Sequence, residues 1–82
     1  MFEYWICNAA DDEVFQKQCD AIEKNITSLV KGERLEDVDS SIIQRYDYFG
    51  KEILVYNDHF IDEVYVKSEI DLEPFFRKEG KR

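Results

Sequence analysis

The sequence predicts an α+β domain of element order β-α-β-β-β, with one long helix packed on a small, mainly antiparallel sheet. Three patterns predict it. The chain opens on a strict alternation, an apolar stripe at helical spacing runs on to residue 30, and three short alternating or apolar runs follow, separated by turn residues.

Residues 2–8 place Phe2, Tyr4 and Ile6 on one face and Glu3, Trp5 and Cys7 on the other, which is the period of a strand. The second face is also fairly apolar, so a central place in the sheet is expected. Asn8-Ala9-Ala10-Asp11 has the form of a capping box with a short acid in its last position. Asp11, Asp12 and Glu13 crowd a first turn, where the helix dipole favours negative charge. Phe15, Cys19, Ile22, Ile26, Leu29 and Val30 then make one stripe. Lys31 and Gly32 supply a basic last turn and a terminating glycine, so a helix is expected over residues 10–31.

Residues 33–40 are acidic and weakly patterned, and read as a loop or helical turn pinned by Leu35 and Val38. Residues 42–49 read as a strand with Ile42, Tyr46 and Tyr48 on one face. Phe49-Gly50-Lys51-Glu52 has the chemistry of a tight hairpin in which Gly50 takes a positive φ. Residues 53–56 form a short, wholly apolar strand, and Asn57-Asp58-His59-Phe60 a turn. Val64, Val66 and Ile70 alternate against Tyr65, Lys67, Glu69 and Asp71, the pattern of a strand with one wet face. Pro74 ends the regularity, and Leu72, Phe75 and Phe76 are expected to tuck onto the core. The whole reads as one domain over residues 1–76, followed by a basic, mobile tail at 77–82.

Eighty-two residues bury only roughly 60–65% of the surface that the unfolded chain exposes. That supports one core and leaves little room for a deep pocket beside it. The start carries no positive, apolar leader, and no run approaches the roughly 20 apolar residues of a membrane span. A cytoplasmic protein without membrane contact is expected. Cys7 on the first strand and Cys19 in the third turn of the helix lie too far apart for a bridge, so both are expected as free, buried thiols.

Candidate groups for catalysis are few. The lone histidine, His59, stands beside Asp58 in a predicted turn, where it reads as a solvated turn residue. Asp58, His59, Asp62 and Glu63 make an oxygen-rich loop, but it lacks the mid-loop glycine and terminal glutamate of an EF-hand. One histidine and two distant cysteines make a poor soft-metal set. Gly32, Gly50 and Gly80 are isolated, so there is no glycine-rich phosphate loop. The expectation is a protein with no catalytic residues, no metal and no cofactor.

Charge carries the most information. Residues 1–76 hold seven basic and eighteen acidic side chains, a net −11, while residues 77–82 hold four basic and one acidic, a net +3. Phosphate backbones are repelled by such a body, which argues against direct nucleic-acid binding even though the strands are rich in aromatics. A basic protein is attracted to it, and steering of this kind raises on-rates by about 10–10³.

The expectation is therefore a small acidic inhibitor, monomeric or weakly dimeric. It would mask a basic partner such as a nuclease toxin or a nucleic-acid-binding protein, as an immunity protein or antitoxin does. Glu33, Glu36, Asp37 and Asp39, with Asp58, Asp62 and Glu63, would meet the partner's Arg and Lys side chains. Trp5 and Tyr65 are the candidate exposed anchors. The alternative is a homodimeric structural or regulatory adaptor that pairs through a strand edge.

Overall fold

The computed structural model describes residues 1–77. Its elements are β1 (Phe2–Cys7), α1 (Asp12–Asn25), β2 (Val30–Glu36), β3 (Ile42–Tyr48), β4 (Lys51–Asp58), β5 (Glu63–Ser68) and α2 (Glu73–Arg77). The five strands form one antiparallel sheet in the order β1-β5-β4-β3-β2. Strands β2 to β5 are a meander, and β1 adds to its far side by pairing with β5. The α+β class stands. The long helix and the β-α-β-β-β order do not: α1 spans 14 residues, an extra strand, β2, opens the meander, and a short helix follows it. Of the expected tail, Arg77 ends α2 and residues 78–82 lie outside the described residues.

The helix starts later and ends earlier than its apolar stripe suggests. Asp11, not Asn8, is the N-cap: its Oδ1 accepts from the N–H groups of Glu13 at 2.9 Å and Val14 at 3.1 Å. A cap there places Asp12 and Glu13 in the first turn, where the dipole favours them. At the other end the helix stops at Asn25, Ile26 is extended, and Ser28 sits at φ 65°. The helical spacing of Ile26, Leu29 and Val30 was coincidental. Ile26 and Leu29 reach the core from a turn, while Val30 opens β2.

Strand β2 takes up residues expected as the end of the helix and as the loop or helical turn that follows, and every one of its residues is exposed. An edge strand with no buried face leaves no period of two in the sequence. Gly32 and Glu33 fall where the β2–β3 register shifts between Lys31 and Arg34. A Cβ on Gly32 would stand 3.1 Å from the Arg45 carbonyl oxygen, a tight contact that favours glycine at this close approach. The β3–β4 hairpin has the two-residue turn Phe49-Gly50, with both φ values positive at 51° and 87°, as a turn matched to strand twist requires.

Helix α1 crosses one face of the sheet. Phe15, Cys19, Ile22 and Ile26 pack there on Tyr46, Ile53, Val55, Val64 and Val66, with Leu72 closing the far side. Each large side chain so buried contributes roughly 1.5–3 kcal/mol. The polar groups on this face are satisfied. Gln44 Oε1 accepts from Arg34 Nε at 2.9 Å, and Gln44 Nε2 donates to the Gly32 carbonyl at 3.1 Å. Tyr4 accepts from the Leu72 N–H at 2.9 Å and donates to Asp71 Oδ1 at 3.1 Å, which ties β1 to the C-terminal segment. Strand β1 is an edge strand, not the central one expected. Its second apolar face is Trp5 lying on a neighbouring tyrosine. Both cysteines are free, Cys19 buried and Cys7 half-buried. Burial pushes the Cys19 thiol pKa up. Among the described residues, no helix is long and apolar enough to cross a membrane.

Candidate functional site

The strand register gathers acidic segments that lie far apart in the sequence. Glu36 at the end of β2 faces Ile42, Asp58 at the end of β4 faces Glu63, and Cys7 at the end of β1 faces Val64. All of these lie at one end of the sheet, and α1 begins there too. The Ala10 N–H donates to Asp62 Oδ1 at 2.9 Å, which holds the β4–β5 turn against the helix entry. Asn57, fully buried, accepts from the Asp11 N–H at 3.0 Å and donates Nδ2 to Asp12 Oδ1 at 2.8 Å. The three acidic groups 11–13, 36–39 and 58–63 therefore share one pole. Glu33 stands apart, three residues back along β2 at about 3.3 Å each.

Two turns of this pole are tied directly. The His59 N–H donates to Ser41 Oγ at 2.8 Å, joining the β4–β5 turn to the β2–β3 turn. Between them lies a cleft of about 230 Å³, lined by Asp37, Asp39, Tyr56, Asp58 and Phe60 among others. The carboxylates also shape their own turns. Asp37 Oδ1 accepts from the Val38 N–H at 2.7 Å and Asp39 Oδ1 from the Ser41 N–H at 2.9 Å. Asp58 Oδ1 accepts from the N–H groups of Phe60 at 2.9 Å and Ile61 at 3.3 Å. Side-chain-to-backbone bonding of this kind is what aspartate supplies in turns. The Ser41 N–H, helped by the Ser41 hydroxyl and by His59, holds the Asp39 carboxyl below its ordinary range.

The sheet face opposite α1 bears one apolar row across all five strands. Trp5 faces Tyr65, Tyr65 faces Tyr56, Tyr56 faces Ile43, and Ile43 faces Leu35. The Trp5 and Tyr65 rings lie 5.4 Å apart, and Tyr65 stacks on Tyr56 at 4.6 Å and 12°. Lys67 Nζ lies 5.7 Å from the Tyr56 ring centroid and 5.9 Å from that of Tyr65. Trp5 is 56% exposed. Tyr65 is only 7% exposed and is not a surface anchor, because Trp5, Tyr56 and Lys67 cover it. Its hydroxyl donates to Asp58 Oδ2 at 2.9 Å. Burial, followed by that bond, pushes its pKa up.

The pole also exposes apolar side chains, among them Val38, which with Leu35 was expected to pin this segment to the body; both are exposed. Val38 is 100% exposed and Phe60 is 87% exposed, with Ile61 beside it. Both turns thus carry an apolar tip among carboxylates, the composition of an interface centre with a polar rim. The signal in the sequence was an apolar residue one or two positions after a turn aspartate, in Asp37-Val38 and Asp58-His59-Phe60. Among the described residues, no group of three or more His, Cys, Asp or Glu side chains is arranged to hold a metal ion. Compared with protein-family models, with the curated proteins and with the solved structures, the chain matches none.

Proposed function

We propose that this protein is an acidic inhibitor whose pole binds a basic surface on another protein, such as the nucleic-acid groove of a nuclease, in the manner of an immunity protein. One observation carries the reading: three separate acidic segments converge on one end of the fold around the exposed Val38 and Phe60. Convergence focuses the field on one docking direction, while the apolar tips supply area that a bare charge cluster lacks. The carboxylates of Glu36, Asp37, Asp39, Asp58, Asp62 and Glu63 stand where phosphate oxygens would on the partner's natural ligand. Glu33 and Tyr65 leave the proposed contact set, and Val38 and Phe60 enter it.

The test is a low-salt pull-down from the source cells, eluted with a salt gradient, followed by kinetics on the partner recovered. A stoichiometric basic protein released by moderate salt is expected. The double variant E36K/D37K should then associate at least about tenfold more slowly, with an unchanged melting temperature. Equal on-rates for the variant and the parent would overturn the assignment of the pole.

A further inference from the structure

The two edges of the sheet are built differently. Strand β2 carries the devices that keep an edge from pairing: alternating Lys31, Glu33, Arg34 and Glu36, and a register break between Lys31 and Arg34. Strand β1 carries one charge, Glu3, and no proline, and it exposes Phe2, Trp5 and Ile6. Its one irregularity falls between Trp5 and Cys7, at the strand's end, so Phe2 to Trp5 run regularly. Its inner face opens into an apolar groove of about 310 Å³ between the sheet and the two helices, lined by Tyr4, Ile6, Ala21, Leu72 and Phe76 among others.

We infer that β1 is a docking edge for β1 of a second copy, joined antiparallel about a two-fold axis at Tyr4. Side chains facing each other across an antiparallel pair share a sheet face, so only some registers keep inner residues with inner ones. A two-fold at Tyr4 sets Tyr4 against Tyr4, Glu3 against Trp5, and brings Phe2 towards Ile6. A two-fold at Glu3 would set two carboxylates face to face, which is destabilising. The chosen register gives a ten-stranded sheet with both α1 helices on one side. Phe2 of each copy then lies over the groove beside Ile6 of the other.

Charge selects the same arrangement. The Cys7 end of β1 points to the acidic pole, and its Phe2 end points away. Antiparallel pairing puts the two poles at opposite ends of the dimer, whereas parallel pairing would place them side by side. Each copy still carries a net charge of −8, so repulsion opposes the contact and salt strengthens it. This is the opposite of what the basic-partner contact should show, and neither proposal depends on the other.

The test is sedimentation equilibrium of the full chain from about 0.01 M to about 1 M salt, over which the screening length falls from about 30 Å to about 3 Å. A dimer whose association constant rises at least tenfold with salt is expected. I6K should weaken it at least tenfold at high salt, and L35K, on the other edge, should leave it unchanged. Hydrogen exchange on the unmodified protein guards against misfolding of I6K: amides of residues 2–6 should gain protection as concentration rises, and those of β2 should not. A monomer at all salt concentrations, or concentration-dependent protection in β2 instead of β1, would overturn the inference.

Discussion

His59 and Ser41 are joined by a 2.8 Å bond from the His59 backbone N–H to the Ser41 hydroxyl oxygen, across eighteen positions of sequence. The bond fixes the spacing between the two turns that bear Asp37, Asp39 and Asp58. Replacing Ser41 with alanine removes the acceptor and should cost about 0.5–1.5 kcal/mol. The sharper readout is local. Exchange of the His59 amide should speed up well beyond what the loss of global stability produces, while the amides of Tyr46 and Val66 in the core follow global stability alone. Unaltered exchange at His59 would show that the turns hold their spacing without this bond.

Phe60 separates surface function from stability. At 87% exposure it contributes little to the core, so F60A should leave the melting temperature within about 2 °C, as surface substitutions usually do. Against the basic partner proposed above, it should cost more than about 1 kcal/mol of binding, chiefly as faster dissociation. The pair F60A and E36K/D37K then divides the pole into two kinetic roles, anchor and steering. Equal affinity for F60A and the parent would confine the contact to charge.

Asn57 tests how the pole is assembled. Its amide sits in the interior and bonds the Asp11 N–H and the Asp12 carboxylate, so it joins the end of β4 to the first turn of α1. In N57A the Asp11 N–H loses its acceptor and Asp12 its donor. The expected cost is about 1–3 kcal/mol, or a fall of several degrees in melting temperature for a domain of this size. N57D keeps the acceptor but brings a buried carboxylate against that of Asp12. It should destabilise more at neutral pH than at low pH, where one of the two carboxyls is protonated. Thermal melts of both variants across pH check this.

What the sequence showed depended on whether a residue's burial left a periodic trace. Phe15, Cys19 and Ile22 on α1, and Val64 and Val66 on β5, face the core, and their spacing declared both elements. The Phe49-Gly50 hairpin was legible because its backbone needs positive φ, which constrains composition locally. Strand β2 left no trace, since Lys31, Glu33, Arg34 and Leu35 are all exposed and only hydrogen bonding to β3 makes them a strand. The acidic clusters could be read one by one. Their meeting could not, because it is set by register and by bonds such as Ala10 to Asp62, across fifty-two positions. Tyr65 misled for a related reason: its neighbours Trp5 and Tyr56 lie on other strands, and their cover is a property of the sheet.

The tyrosines predict the alkaline behaviour of the fold. Tyr46 is buried against α1 and donates to Glu23 Oε2 at 2.6 Å, so desolvation first, then that bond, raises its pKa. Burial, followed by the Asp58 bond, raises that of Tyr65. A tyrosine is neutral when protonated, and the unfolded chain loses this proton near pH 10. Below that pH both states hold the proton and the stabilisation is complete. Above it the unfolded state binds fewer protons than the native one, so stability falls as pH rises. Stability should therefore start to fall above about pH 10, with Tyr46 and Tyr65 ionising only as the fold opens. Absorbance at 295 nm and far-UV circular dichroism should change together for these two groups. Y46F removes one of them and should flatten the alkaline slope of stability, at a cost of about 1 kcal/mol at neutral pH for the lost bond to Glu23. An unchanged alkaline slope in Y46F would mean that the Tyr46 hydroxyl is not held in the neutral form by the packing seen here.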